Sequence, residues 1–187
     1  MEFILNPNRT LISGVQHFYQ ATKPTARPDG SALVARDRWY KTDDGTEWFW
    51  NGTYWLGHLR DAQTSYFWAG LFALNNIAFV LPIEKVGCTS VLLKSIYATV
   101  NINTGNNVSN YYGFNFSIRS STFIGSVNTS ALSVGSSTSV FINSDPGFVL
   151  DVSTNARSAI FAFGQTIGTP GNTDFVSVGA SYYPIYP

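Results

Sequence analysis

The second half of the chain alternates apolar and polar residues with a period of two. Ile96, Ala98 and Val100 share one side of an extended run, with Tyr97 and Thr99 on the other. Because side chains alternate between the two faces of a β-strand, this pattern predicts strands with one buried face. Similar runs, separated by turn residues, fall at 77–82, 90–103, 111–119, 122–127, 139–143, 148–152, 158–166 and 174–183. Eight short strands without helix signals predict a jelly-roll-like antiparallel β-sandwich in an all-β chain.

A different pattern occupies residues 38–56, which hold four of the five tryptophans. The dipeptides Asp44-Gly45 and Asn51-Gly52 separate short runs rich in aromatic residues and threonine. Such dipeptides tolerate positive φ at both central positions of a tight hairpin turn. We therefore predict a small aromatic β-meander, with strands at 38–42, 47–50 and 53–56.

The meander is too small to bury both of its faces by itself. Trp48 and Trp50 share one face of the middle strand, while Glu47 and Phe49 share the other. At least one face is therefore expected to pack on another chain or on neighbouring segments. The predicted interface or collar residues are Trp39, Tyr40, Trp48, Phe49, Trp50, Tyr54 and Trp55.

Three regions follow from these patterns. Residues 1–60 are predicted to form an extended N-terminal arm and the meander, with Pro24 and Pro28 excluding a continuous helix in the arm. Residues 61–76 show no clear period and are predicted to be a connector that packs against its neighbours. Residues 77–187 are predicted to form the sandwich.

Charge is scarce and unevenly distributed. Charged residues make up 12% of the chain, the formal net charge is zero, and residues 62–187 contain four Lys or Arg and four Asp or Glu. A neutral chain without a basic stripe gives no footprint for nucleic acid. No apolar run approaches the roughly 20 residues of a membrane span, and no signal peptide is expected.

The sequence offers no catalytic constellation. Cys88 is the only cysteine, which excludes an internal disulfide and predicts a small buried hydrophobic residue. With only two histidines, His17 and His58, no triad of imidazoles can bind a metal. The sparse carboxylates of the second half have no spacing that specifies a glycosidase pair. We therefore expect a protein that is not an enzyme, with no cofactor and no metal.

The residues of the arm and meander carry a resemblance. Tyr19 to Val34 (YQATKPTARPDGSALV), Asp37 to Gly45 (DRWYKTDDG) and Trp48 to Trp55 (WFWNGTYW) together resemble a module common in tail-fibre and other appendage proteins of phages, including cyanophages. In those proteins the module lies near the start of a trimeric fibre or between its domains. The resemblance therefore implies a structural role in a virion.

The sandwich carries a second resemblance, to the carboxy-terminal β-sandwich of phage and cyanobacterial fibre-type proteins. Its residues are the Gly168-Thr169-Pro170-Gly171-Asn172 turn and the Asn110-Tyr111-Tyr112 entry into a central strand. Tyrosines beside amides suit either a sugar-binding surface or a subunit interface, and the interface is favoured because interfaces are rich in Tyr and poor in charge. The candidates for glycan or subunit contact are Asn110, Tyr111, Tyr112, Tyr182, Tyr183 and Tyr186.

The leading hypothesis is a structural, non-enzymatic phage protein that forms a homotrimeric tail fibre or receptor-binding appendage. It would be located in the virion, assembled in the host cytoplasm, and would contact other virion proteins of the tail, baseplate or capsid. A capsid decoration or cement protein is one alternative, favoured by the shortness of the chain. A lectin-like module that binds host surface polysaccharide is another. No contact with nucleic acid and no membrane insertion are expected.

Overall fold

The computed structural model describes residues 14–72, 77–83, 88–101, 107–118, 122–130, 137–142, 148–153, 159–169 and 173–187. The regular structure in these ranges consists of β-strands. In chain order they are β1 (His17–Gln20), β2 (Arg38–Lys41), β3 (Thr46–Trp50), β4 (Trp55–Leu56), β5 (Arg60–Phe72), β6 (Ile77–Pro82), β7 (Ser90–Asn101), β8 (Tyr111–Ile118), β9 (Thr122–Asn128), β10 (Ser137–Ile142), β11 (Val149–Asp151), β12 (Ala159–Ile167) and β13 (Thr173–Ile185).

Two antiparallel sheets form the sandwich and confirm the jelly-roll prediction. One sheet has the order β5-β13-β7-β10, and the other has the order β6-β12-β8-β9. The two sheets contain eight strands, β5 to β10, β12 and β13, when the short β11 is left aside. Numbered along the chain, the first of these eight strands pairs with the eighth, the eighth with the third, and the third with the sixth. The second, seventh, fourth and fifth strands make the facing sheet, which is the jelly-roll arrangement. Strand β11 extends the edge formed by β10 along β7.

The core lies between the two sheets and follows the predicted alternation. Ile96, Ala98 and Val100 of β7 are buried, as are Phe114 and Phe116 of β8. Side chains from the two inner faces interdigitate into one apolar cluster, which includes Cys88. The prediction that this cysteine is a buried hydrophobic residue is therefore confirmed.

Strand β5 corrects the predicted connector at 61–76. Arg60–Phe72 forms a strand that pairs with β13, with Ala62 opposite Ala180. The apolar period is weak because Ala62 is small, and because the next residue on that face, Thr64, is polar and donates a hydrogen bond to the Val80 carbonyl at 2.8 Å. Residues 73–76 lie outside the described residues, and the limits of the domains stay predictions.

The meander β2-β3-β4 is confirmed, and it continues in both directions. On one side β1, within the predicted arm, pairs with β2 in parallel, a pairing that the sequence pattern does not predict. On the other side β4 pairs with the end of β13, where Leu56 lies opposite Ile185. One nine-stranded sheet therefore runs from the arm through the meander into the sandwich.

Both turns of the meander lie where the dipeptides predict them, but their geometry differs from the prediction. Gly45 and Gly52 have φ of 72° and 106°, while Asp44 and Asn51 do not have positive φ. The pairing of β2 with β3 and of β3 with β4 leaves loops 42–45 and 51–54, so these are longer turns in which glycine alone takes the left-handed conformation.

The two turn motifs of the sandwich meet in space. Asn110 Oδ1 accepts a hydrogen bond from the Thr169 backbone N–H at 2.8 Å. Gly168, at φ 65°, approaches so closely that an added Cβ would lie 2.2 Å from the Ser109 carbonyl oxygen. A side chain at Gly168 would therefore meet backbone as well as an unfavourable φ. This contact joins the entry of β8 to the turn that follows β12.

Candidate functional site

The inner face of the meander forms a cluster of aromatic rings. Trp39, fully buried, lies with its ring centroid 5.8 Å from that of Trp55, which in turn makes an edge contact with Phe18 at 6.0 Å. Trp48 and Trp50 join the cluster from the same face of β3, as the alternation predicts. Edge-to-face contacts of this kind stabilise aromatic pairs beyond the area they bury.

The polar edges of the buried indoles are all satisfied. Trp39 Nε1 donates to the Gln20 carbonyl at 2.8 Å, and Trp55 Nε1 donates to the Pro24 carbonyl at 3.1 Å. Trp48 Nε1 donates to Thr46 Oγ1 at 2.8 Å. Because an unpaired buried donor costs free energy, these bonds fix the ring orientations and hold the arm on the cluster.

Tyr186 closes the cluster from the far end of the chain. Its ring lies 4.7 Å from the Trp39 ring and 5.1 Å from the Trp48 ring, centroid to centroid. The Nζ atoms of Lys23 and Lys41 lie 5.5 and 5.9 Å from its centroid, within cation–π range. Of the two predicted covers for this face, neighbouring segments of the same chain are the ones present.

A buried ion pair holds the arm against the meander. The Asp37 side chain is fully buried and accepts bonds from Arg27 Nη2 and Nε at 2.6 and 3.0 Å. The backbone N–H groups of Gln16 and Val34 each donate to it at 2.9 Å. Arg27 Nη2 also donates to the Gly14 carbonyl at 2.6 Å. One carboxylate thus joins three separate parts of the arm.

The electrostatics of these groups follow from their contacts. Burial alone raises the pKa of the Asp37 carboxyl, but the hydrogen bonds from Arg27, Val34 and Gln16 outweigh it and leave that pKa below its usual value. At the first turn, the Lys41 ammonium lowers the pKa of Asp44 to about 2, with help from Thr46. The same contact, at 2.5 Å, raises the pKa of Lys41.

The outer face of the meander remains accessible in the single chain. The ring of Tyr40, which is 43% exposed, lies 5.9 Å from that of Tyr19. Phe49 packs edge-on against Tyr183 at 5.6 Å. This face therefore carries two pairs of packed aromatic rings.

A groove of about 480 Å³ opens between the arm and the loop joining β3 and β4. Partly exposed Trp50 and Tyr54 supply aromatic walls, while Lys23 and Thr53 supply polar groups. Aromatic walls with a few polar groups are typical of sites for small ligands. Rings that stack on sugar faces and donors that bond sugar hydroxyls would suit a carbohydrate.

The structure sorts the predicted contact residues into different places. Of the collar set, Trp39, Trp48, Trp50 and Trp55 meet in the cluster, Tyr40 and Phe49 lie on the opposite face, and Tyr54 lines the groove. Of the other set, Tyr186 joins the cluster, Tyr183 packs on Phe49, Asn110 lies in the turn before β8, and Tyr111 begins that strand.

Tyr112 and Tyr182 lie inside the sandwich core, each 1% exposed. Burial raises the pKa of the Tyr112 phenol. Because both rings are buried, they have no surface to offer to a glycan or a second subunit. Tyrosine packs in protein cores as readily as at interfaces. The prediction that Tyr112 and Tyr182 contact a glycan or a second subunit is therefore corrected: both are core residues.

The sequence interpretation missed Phe18, Arg27 and Asp37. Phe18 alternates with polar residues in β1, but four residues are too few for a periodic signal. Arg27 and Asp37 belong to the module that carries the resemblance, yet nothing in their spacing shows that they pair.

Within the described ranges, no three His, Cys, Asp or Glu side chains are grouped so that they could hold a metal ion. The part of the chain that the structure describes also has no helix long and apolar enough to cross a membrane.

No protein-family model matches the chain, and no curated protein matches it. Among solved structures, the chain is similar to one from desmodium yellow mottle tymovirus, with a TM-score of 0.31 and 9% identity over 70% of this chain and 88% of that one. A chain from Bacillus endospore appendages, described as disulfide-linked pili, has a TM-score of 0.31 and 8% identity over 70% of this chain and 88% of that one. A chain of infectious bursal disease virus, Gx strain, has a TM-score of 0.29 and 11% identity over 68% of this chain and 32% of that one. With TM-scores this low, the fold is defined by its own strand order and not by these similarities.

Replacement of Tyr186 by Ala tests whether this ring joins the meander to the sandwich. We expect Tyr186→Ala to lower the free energy of unfolding by about 3 kcal/mol, as for truncation of a packed aromatic ring. Urea unfolding followed by tryptophan fluorescence, at fixed protein concentration, measures the change. Tyr40→Ala is the matched control, because its ring is 43% exposed and packs against one other ring, that of Tyr19, so we expect a loss of only about 1 kcal/mol. Equal effects of the two variants would contradict the role of Tyr186.

Replacement of Asp37 by Asn tests the ion pair. Every donor to this carboxylate is an N–H group, so an Asn amide nitrogen would face a donor, and Arg27 would lose its counter-charge. We expect a loss of about 3 kcal/mol at neutral pH in urea unfolding. Asp29→Asn is the control, because exposed Asp29 caps Ser31 through one oxygen, which Asn retains.

The same variant has a predicted pH dependence. Because the folded pKa of Asp37 lies below its ordinary value, its stabilisation is complete above about pH 4 and is lost as the pH falls through the folded pKa. The difference in stability between the wild type and Asp37→Asn should therefore shrink below about pH 4. Asp44 titrates alike in both proteins and cancels. A difference that stays constant to pH 2 would contradict the assignment.

Proposed function

We propose that this protein is a structural, non-enzymatic component of a phage virion, a homotrimeric tail fibre or receptor-binding appendage. The observation that carries the proposal is the single sheet that runs from the aromatic module into the sandwich through β13. Such continuity suits a part that must transmit force between an attachment end and a display end. The resemblance of residues 19–55 to the phage appendage module supports the same role.

The packing of the module also supports this proposal. Its rings, its satisfied indole N–H groups and the Arg27–Asp37 pair hold a small unit together without a large core. A collar between attachment and display needs rigidity of this kind. The proposed partners are two further copies of the chain and other virion proteins of the tail, baseplate or capsid, with assembly in the host cytoplasm. Neither nucleic acid nor a membrane is a proposed partner.

The arm gives a reason to favour an appendage over a capsid decoration protein. A cement role would use the arm to reach across neighbouring capsid subunits. From Gly14 to Arg36 the arm instead lies on its own meander, held by Asp37 and by the bonds of Trp39 and Trp55 to arm carbonyls. Releasing it would expose the aromatic cluster and break those bonds.

Phage particles that lack this protein test its position and role. We expect such particles to keep intact heads and to lose adsorption to host cells, because an appendage acts outside the capsid. Electron microscopy of the particles shows whether the heads are intact. Counting the plaque-forming phage left unadsorbed after mixing with host cells measures adsorption. Supplying the protein from a plasmid is the control and should restore adsorption. Fragile heads that still adsorb would contradict the appendage and favour decoration.

Binding of host surface polysaccharide is a second candidate function, favoured by the groove that Trp50 and Tyr54 line. A groove with aromatic walls and a few polar groups can bind sugar rings through stacking and hydroxyl contacts. In this reading the site lies in the aromatic module rather than at the tyrosines of the sandwich.

Pull-down of purified host polysaccharide tests the groove. Tyr54→Ala should lower retention at least tenfold, because it removes an aromatic wall at the mouth of the groove. Tyr40→Ala, on the opposite face of the meander, should bind as the wild type does. Equal binding by all three proteins would exclude the groove, and no binding by the wild type would exclude this function.

A further inference from the structure

The outer faces of the two sandwich sheets differ in chemistry. On the β5-β13-β7 side, Gln63 and Ser65 both bond the Ser177 hydroxyl, at 2.7 and 2.8 Å. The Ser181 hydroxyl donates to the Asp61 carboxylate on the same face. Asp61, Gln63 and Ser65 are themselves exposed, so this face presents polar side chains to water.

The outer face of the β6-β12-β8-β9 sheet is mostly apolar. Residues that alternate with the buried core residues of these strands point outward and are at least partly exposed. Val80 is the most open of the large ones, at 46% exposure. The outward residues are Ala78, Val80, Pro82, Tyr111, Gly113, Asn115, Ser126, Asn128, Phe161, Phe163, Gln165 and Ile167.

Strand register makes these residues one continuous surface. Phe161 lies opposite Val80 across one strand pair, and Phe163 lies opposite Ala78 on one side and Asn115 on the other. Ile167 lies opposite Tyr111. Directly opposed side chains in neighbouring strands are close enough to touch, so the apolar rows join across the sheet.

The size of this face is that of an interaction surface. Four strands about 4.8 Å apart, each with about eight residues rising about 3.4 Å, span roughly 500 Å² in projection. This area includes the polar residues of the face; it lies within the range of about 300–600 Å² for the largest apolar patch of a typical monomer and is smaller than the ~800 Å² per partner of a standard interface. A surface of this size can hold a specific partner.

The absence of charge on these strands suits a second copy of the chain as the partner. None of β6, β8, β9 and β12 contains Asp, Glu, Lys or Arg. In a trimer that packs this face around its three-fold axis, groups close to the axis lie near their equivalents in the other copies, so a charge there would be repelled by like charges. The polar residues present include the amides Asn115, Asn128 and Gln165, which both donate and accept and can therefore pair with their own kind.

We propose that the outer face of the β6-β12-β8-β9 sheet packs against the same face of other copies around the symmetry axis of the trimer. This inference rests on the proposed homotrimer and identifies its interface. The polar β5-β13-β7 face then points to solvent, and the aromatic module extends from the sheet that carries that face.

A lysine on this face tests the inference. Val80→Lys would bring three ammonium groups into an apolar contact, and we expect its apparent trimer dissociation constant to rise at least tenfold. Val108→Lys makes the same change at a position 86% exposed in the turn before β8, outside the proposed interface, and should leave assembly unchanged. Light scattering with size-exclusion chromatography, across a micromolar dilution series, measures both.

Two further measurements keep the test decisive. Near-ultraviolet circular dichroism checks that each variant keeps its tertiary packing, and Gln165→Lys repeats the change at a second exposed position of the same face. Trimers of Val80→Lys and Gln165→Lys as stable as the wild type would overturn this interface and leave the proposed trimer standing. A wild-type protein that is monomeric at micromolar concentration would overturn both.

Discussion

The pairing of β13 is the constraint on which the rest of the structure depends. This strand lies between β5 and β7 in the sandwich and then pairs with β4 of the meander. Beyond its last paired residue, Tyr186 enters the aromatic cluster, and its backbone N–H donates to the Trp55 carbonyl at 2.9 Å. Core, meander and cluster therefore share one backbone segment, and none of them is complete without it.

The aromatic module depends on polar bonds as much as on its rings. Its four tryptophans bury large apolar surfaces, yet three of them also place an indole N–H where a specific oxygen accepts it. In the arm, the Asp37 carboxylate is the acceptor, and each of its oxygens accepts two hydrogen bonds. Buried polar groups that are fully satisfied select one arrangement, because every alternative leaves a donor or a charge unpaired. The module thereby has a defined shape despite its small size.

Sequence patterns predicted the sandwich well because its strands obey a local rule. The alternation of Ile96, Ala98 and Val100 is visible without knowledge of any partner strand, and 77–82 appears with the predicted limits. The failures are matters of long-range pairing. Strand β5 begins its inner face with small Ala62 and polar Thr64, the parallel pairing of β1 leaves no local mark in the sequence, and the Arg27–Asp37 pair follows no spacing rule. Whether a tyrosine such as Tyr182 faces core or solvent depends on neighbours that are distant in sequence.

The position of the closing contacts along the chain has a consequence for folding kinetics. Lys23 donates to the Pro187 carbonyl across 164 residues, and the rings of Trp39 and Trp48 pack against Tyr186. Chains dominated by such distant contacts fold slowly, because the entropy of closing long loops is lost before the contacts form. During synthesis the tryptophan face emerges long before Tyr186. Exposed apolar surface of this kind favours aggregation or binding by chaperones. Formation of β13 is therefore the step that brings Tyr186 onto the tryptophan face.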